Sequence, residues 1–515
     1  MKLRSLLLAS GVALIPSWAA DAVKTRDVTL EQCIQEAFEN NLELKIVRYA
    51  PDLADLALEG SYSAYDPNFG FGYNGNRADN PSQRQITSFQ APANVSYTQQ
   101  FNTSLSGLLP TEAGTSYQLT GNMNPVRSRV GGNGAGFLQY QDSAFGNAGI
   151  ALTQPLLRNL WIDQARWAIS LNKKTLLQEE QTVRAQMIQT ATDVQLVYYN
   201  LAAAMASIEV QTKAVELAER LLTENRKRVE VGAMAPLESQ QAEAQVASTR
   251  ADLIQARQNF GTAQNNLRRL LTTDYSEIRD TQVKPSEKFS PQPYPFSRPE
   301  SWSRGLTMRP DVLQSQIEME KQNVTVRFRR NQLFPQLDLT GSFGVSANQI
   351  AFGNTNGSPP LGDPVGGAFD QLGNADYKGY GVGARFTFPL GNVGARSAFQ
   401  TAKITKERLI LRHKQIEQNV MRDIDNSILV AESAYGRILA NREARAYAEA
   451  ALDAEQKKLE NGKSTTFEVL RLQRDLTSAR SNEVRSELDY YAALSSLFRD
   501  EGSTLERLGV RITAQ

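Results

Sequence analysis

Between Ala395 and Asn461 the chain contains no proline and a single glycine, Gly436. An unbroken helix over that stretch would be roughly 100 Å long at ~1.5 Å per residue. A compact globule has no place for it, so at least part of the fold must be elongated. A second helical pattern follows the break at Asn461 and Gly462, with Val469, Leu476, Glu483, Tyr490 and Leu497 seven residues apart. Leu472, Ala479, Ser486 and Ala493 fall between them. This seam, interrupted by two polar residues, predicts packing against neighbouring helices. Gly462 supplies the stop, because glycine enters the left-handed conformation without a Cβ penalty, and Ser464 or Thr465 is placed to cap the returning helix. Residues 394–499 therefore read as one long helical hairpin.

The pattern occurs twice. Adding 230 to the numbering carries Arg228, Glu230 and Gly232 onto Lys458, Glu460 and Gly462, and Ala165 and Arg166 onto Ala395 and Arg396. A shift of 268 carries Asn41 onto Arg309 and Pro67 onto Pro335. A repeat this long is not a solenoid unit; the reading is a tandem duplication into two large halves. The first half covers 21–275, with helices in 30–65, strands in about 68–155 and a hairpin over 160–272. A proline-rich linker follows at 276–298. The second half covers 299–515, with helices in 299–332, strands in about 336–389, the hairpin at 394–499 and a C-terminal tail.

Charge and cysteine content exclude several functions. The net charge is +1, from 56 basic and 55 acidic residues that are interspersed, so no nucleic-acid surface is expected. Cys33 is the single cysteine, which rules out an internal disulfide and predicts a buried or idle thiol. Mean hydropathy is −0.41, and no apolar run of about 20 residues follows the N-terminus, so no membrane-spanning helix is expected. At the N-terminus, Lys2 and Arg4 precede an apolar run from Leu6 to Ile15, with small residues at Ser17, Ala19 and Ala20. That is the layout of a secretory signal peptide over 1–20. Leu30, Glu31 and Gln32 before Cys33 lack the small residues of a lipid-attachment site.

Thr29 is placed to cap a helix over 30–39, and a further helix is expected from Leu42 to Tyr62. Beyond Pro67 the periodicity becomes alternating: Phe69, Phe71 and Tyr73 share one side, Asn68 and Asn74 the other. After Pro335, Leu337, Leu339, Phe343 and Val345 alternate with Gln336, Asp338, Thr340 and Ser342. A loop is expected over 347–376, and then Tyr380, Val382, Ala384, Phe386 and Phe388 form a return strand. Strands of about 9 to 11 residues, polar on one face and aromatic on the other, match the lumen and lipid faces of a transmembrane barrel. The first half holds 34 more residues between its prolines, which reads as two added strands around Val95, Tyr97, Phe101 and around Tyr117, Leu119, Met123, joined by a turn in 107–114.

Candidate chemistry dissolves on inspection. The glycine run 131–136 lacks the Gly-Lys-Ser/Thr ending of a phosphate loop. His413, the only histidine, stands between Arg412 and Lys414 and is expected at the surface. Asp423 and Asp425 fall on different helix faces. With no nucleophile, base and orienter constellation, neither an enzyme nor a cofactor or metal site is expected.

The order and duplicated spacing of several segments resemble the outer-membrane efflux protein family, the TolC-like proteins. The resembling residues are Leu30 to Asn41 leading to Pro67; Gln154, Pro155 and Arg158 with Ala165 and Arg166; Arg228 to Glu238; Arg309, Pro310 and Asp311; Phe388, Pro389 and Leu390 with Ala395 and Arg396; and Leu459 to Leu470. The resemblance implies an α+β fold in which an outer-membrane β-barrel is continuous with a long periplasmic α-helical barrel, assembled as a homotrimer. It implies a channel-tunnel of a tripartite efflux or type I secretion system, with a periplasmic adaptor (membrane fusion) protein, an inner-membrane pump or ABC transporter, and outer-membrane lipid as partners. The docking tip it implies comprises Val231, Gly232, Ala233, Met234, Asn461, Gly462, Lys463 and Ser464. Glu238 and Glu468 stand six residues after the two glycines. An acid in a first helical turn suits the helix dipole, whereas six such carboxylates in a trimer would form a cation-favouring periplasmic aperture. Where some relatives carry a second acid three residues on, this chain has Arg471 and Gln241. Arg471 is placed to pair with Glu468, which would lock the tip closed or dilute its negative field. An exported coiled-coil or adhesin-like fibre would explain the heptads alone, and a passive porin the strands alone.

Overall fold

The computed structural model describes residues 24–81, 94–131, 138–287, 289–353 and 362–510. The signal segment 1–20 and residues 132–136 of the glycine run lie outside them. In chain order the elements are β1 (Lys24–Val28), α1 (Leu30–Asn40), α2 (Leu42–Ser61), a 3₁₀ turn (Tyr62–Tyr65), β2 (Asn68–Asn80), β3 (Asn94–Leu108), β4 (Ser116–Gly131) and β5 (Leu138–Pro155). The hairpin α3 (Gln164–Glu230) and α4 (Pro236–Leu271) follows, then α5 (Tyr275–Ile278), β6 (Thr281–Pro285), α6 (Arg298–Met308), α7 (Pro310–Asn331), β7 (Gln336–Phe352), α8 (Pro364–Asn374) and β8 (Tyr377–Thr387). The chain closes with the hairpin α9 (Val393–Glu460) and α10 (Thr466–Asp500) and the short α11 (Thr504–Arg507).

Two compact units share these elements, and both long helices, α3 and α9, contribute to each. The first unit takes the described residues up to Val47, Arg184–Arg309 and those from Asn419 on. Thr29 opens α1 through a reciprocal cap: its Oγ1 accepts from the Gln32 amide at 3.3 Å, and Gln32 Oε1 accepts from the Thr29 amide at 3.1 Å. Asn41 opens α2 by accepting from the Leu44 amide at 3.0 Å. The main core of this unit gathers Cys33, Ile34, Tyr198, Leu201, Leu267 and Val283. A second cluster holds Leu221, Leu452, Leu459, Val469 and Leu476, and a third Ala431, Ile438, Tyr490 and Ala493. The apolar members of the α10 seam thus sit where the heptad spacing predicts. Within the segment read as a linker, β6 pairs in parallel with β1. Its carbonyls are taken by α4 side chains, Gln264 Nε2 on Val283 O at 2.9 Å and Arg268 Nη2 on Thr281 O at 2.6 Å. A five-residue strand completed by side chains from another helix leaves no periodic signal of its own.

The second unit comprises Arg48–Val183 and Pro310–Gln418. Its sheet has the order β2-β3-β4-β5-β7-β8, every neighbouring pair antiparallel. Register sets Tyr73, Phe101, Met123, Gly146 and Ala347 in one row. Phe69, Phe71, Phe343, Tyr380, Val382 and Phe386 project from the same face and are exposed. The opposite face carries Asn74, Asn102, Asn122 and Asn147. β3 and β4 lie where two further strands are expected in the first half, and β3, β4, β5 and β7, at 15 to 18 residues, exceed the expected length.

The expected loop over 347–376 is corrected: β7 runs on to Phe352, and Pro364 begins a helix. Asp363 caps it by accepting from the amides of Val365 and Gly366 at 3.1 and 3.0 Å. Its Val365, Ala368 and Leu372 then bury against Met123, Ala144 and Ala347 on the apolar face. Glycine-rich composition hides this cap and its three-to-four spacing.

The helices of this unit lie in the order α2, α3, α7, α9. Asn172 Nδ2 reaches Ala57 O at 3.2 Å, Trp167 stacks on Phe328 with centroids 5.1 Å apart, and Gln322 Nε2 reaches Ala402 O at 2.8 Å. His413 is also corrected: it is not a surface residue. Its side chain is only 14% exposed, with Nδ1 2.6 Å from Ser315 Oγ on α7 and Nε2 3.3 Å from Glu417. The flanking charges point the wrong way, because neighbours in sequence lie on other faces of a helix.

Candidate functional site

The two interhelical turns close alike. In the first, the Gly232 amide donates to Val229 O at 3.0 Å and the Ala233 amide to Arg228 O at 2.8 Å. In the second, Gly462 donates to Leu459 O at 3.1 Å and Lys463 to Lys458 O at 2.8 Å. Each turn satisfies the last carbonyls of its long helix with glycine in the left-handed region, φ +75° at Gly232 and +69° at Gly462. A Cβ at either glycine would meet nothing within 4 Å, so conformation, not space, demands glycine there. Val231, Ala233, Asn461 and Lys463 are exposed, while Met234 and Ser464 are half-buried.

The helices that follow start differently. Pro236 occupies the first turn of α4 and no side chain caps it, whereas Thr465 caps α10 by accepting from the Glu468 amide. Around the second turn, Ser464 Oγ and Lys458 Nζ both bind the Glu455 carboxylate, at 2.5 and 2.9 Å. The lysine, then the serine, hold that carboxyl below its ordinary range.

The two acids related by the shift of 230 have different partners. Glu468 Oε2 pairs with Arg471 Nη2 at 2.7 Å inside α10. Arg471 also adds to the field that lowers the Glu455 carboxyl on α9. Glu238 Oε2 instead accepts from Thr466 Oγ1 at 2.6 Å, bridging the start of α4 to the start of α10. Thr466 is fully buried and also receives Asn225 Nδ2 at 3.3 Å. Arg228 Nη1 adds a contact to Leu459 O at 3.4 Å. The link between the turns thus runs through Glu238, Thr466 and Asn225. The sequence alone does not single out Thr466 and Asn225, because their counterparts under the same shift are the chemically different Pro236 and Glu455. Away from the turns, Cys33 is buried as expected, and burial, then Glu36, pushes its thiol up to about 12.

The family of outer membrane efflux proteins matches this chain over residues 116–273 and 303–502. Outer membrane protein TolC of Escherichia coli (strain K12) is 24% identical over 364 residues, 68% of this chain and 69% of that protein. Outer membrane efflux protein BepC of Brucella suis biovar 1 (strain 1330) is 24% identical over 405 residues, covering 77% and 79%. The crystal structure of the Campylobacter jejuni CmeC outer membrane channel superposes with a TM-score of 0.63 at 17% identity, over 98% of this chain and 94% of that one. A family match across both hairpins and most of the sheet decides the question: the chain belongs to the outer membrane efflux protein family, whose members are efflux channels of the outer membrane.

Proposed function

We propose that three copies of this chain close one β-barrel in the outer membrane, and that their long helices line a duct across the periplasm. The observation that carries this reading is the six-stranded sheet. It is apolar and aromatic on one face and polar on the other, and among the described strands β2 and β8 each have one partner. Unpaired strand edges cannot face lipid, so sister chains must supply the missing partners. No described helix is long and apolar enough to cross a membrane, which leaves the sheet as the crossing element. The same two sides of the unit end in α2 and α9, where Tyr49, Leu53 and Leu56 on one and Ile404 and Leu411 on the other are exposed. Joining β8 and α9 of one copy to β2 and α2 of the next covers all of them and gives a barrel of eighteen strands.

The matching geometry of the two glycine turns supports a duplicated chain whose halves present equivalent tips. An adaptor protein docks on residues 231–234 and 461–464, joins the duct to an inner-membrane pump or ABC transporter, and Glu238 and Glu468 face the narrow end. Outer-membrane fractionation followed by planar-bilayer recording tests this function. Mature protein in the outer membrane whose detergent-extracted trimers conduct ions is the expected result. Folded monomer recovered from the soluble periplasm would overturn it.

A further inference from the structure

Two rows that carry charged side chains follow the aromatic ones on the apolar face of the sheet, at the end remote from α2, α3, α7 and α9. Register sets Arg77, Tyr97, Arg127 and Asp142 side by side, and Asp79, Val95, Arg129 and Tyr140 in the next row of that face. The Arg127 guanidinium is gripped by Asp142, with Nη2 3.0 Å from Oδ2, yet its side chain stays 70% exposed. Arg77 pairs with Asp79 at 3.1 Å and lies 5.3 Å over the Tyr97 ring, and Arg129 lies 5.7 Å over Tyr140. A cleft of about 750 Å³ opens at Arg127 and Asp142, lined also by Tyr97, Phe101 and Pro125 and walled by the start of α8 at Asp363; Arg77 reaches it through the Tyr97 ring.

Height places these groups at a boundary. From Phe69 to Arg77 the strand advances roughly 26 Å, or about 20 Å of height at a tilt of ~40°, close to the ~25 Å apolar band of an outer-membrane barrel. The guanidiniums therefore stand where acyl chains give way to headgroups, on the side away from the helices, which is the outer leaflet. We propose that this cleft binds a phosphorylated glycolipid of that leaflet, an inference that rests on the barrel reading above. Asp142 and Asp79 hold Arg127 and Arg77 in fixed orientations and leave further N–H donors for phosphate oxygens. Those two carboxylates and Asp363 also balance the three guanidiniums, so the cleft offers a bare anion little net field. A headgroup with phosphate acceptors and sugar hydroxyl donors satisfies both signs, the rings of Tyr97 and Phe101 pack against its C–H faces, and its acyl chains run down past Tyr73 and Phe71.

The test is native mass spectrometry of detergent-extracted trimers given diphosphoryl lipid A in competition with a tenfold excess of phosphatidylglycerol. Wild-type trimers should retain lipid A, and the R77Q/R129Q variant should retain at least tenfold less. The R127Q/D142N variant removes both members of a pair, leaves no unmatched carboxylate, and should lose lipid A likewise. If R77Q/R129Q yields no trimers, R77Q alone is read in its place. Equal retention in variants and wild type, or equal retention of phosphatidylglycerol, would overturn the site. Either result in trimers located in the outer membrane leaves the barrel standing, whereas failure to reach that membrane removes the barrel itself.

Discussion

Glu238 Oε2 and Thr466 Oγ1, 228 positions apart in sequence, share a hydrogen bond of 2.6 Å. Because Thr466 is fully buried and also receives Asn225 Nδ2, replacing it with isosteric valine strands a buried donor, a loss of roughly 1–3 kcal/mol at the contact between the turns. T466V should therefore open more readily, seen as a higher conductance of purified trimers. Conductance equal to wild type would show that this bond does not restrain the turns.

Ion selectivity reads the charge of the two acids together. Arg471 already neutralises Glu468 at 2.7 Å, so E238Q/E468Q should lower cation preference while R471Q should raise it. Reversal-potential measurements in a salt gradient read both. Unchanged selectivity in E238Q/E468Q would return these acids to capping and dipole roles.

The glycine turns make a conformational prediction. Left-handed backbone costs an L-residue roughly 1–2 kcal/mol, and more for a β-branched one. Since a Cβ has open space at both positions, G232V and G462V should deform the turns without disturbing the cores. Trimers should persist while export is lost. Loss of trimers together with export would assign the turns to folding.

Much of this architecture is legible in the sequence because long helices and two-faced strands write their period over many residues. The α10 seam from Val469 to Leu497 and the alternation after Pro67 are of that kind, and so is the pairing available to Glu468 and Arg471 one turn apart. The rest depends on contacts between distant segments. Thr466 meets Glu238 and Asn225 only after two hairpins pack, His413 finds Ser315 on another helix, and β6 exists by virtue of β1 and α4. Helix α8 has a local signal in Asp363 and Pro364, masked by the glycines around it.

Cys33 offers a pH test. Its thiol is raised to about 12 in the folded chain, against roughly 8.5 when unfolded. Between those values the unfolded chain gives up a proton that the folded chain keeps, so this group's contribution to stability is full below about 8.5 and falls as pH rises through the window. At pH 8.5, iodoacetamide should alkylate the folded protein at least ~100-fold more slowly than the unfolded chain. Comparable rates would mean that the thiol reaches solvent.

Closure of the barrel by sister chains brings β8 of one copy beside β2 of the next, which disulfide trapping between these two edge strands detects. A Cβ added at Gly379 on β8 or at Gly72 on β2 would meet nothing within 4 Å, and strand neighbours lie within disulfide range. Gly379→Cys combined in turn with Gly72→Cys or Asn74→Cys should give, on oxidation of outer membranes, a covalent species of three chains, with each single variant remaining monomeric on a denaturing gel. Monomers from every pair, or ladders running beyond three chains, would contradict a closed trimer.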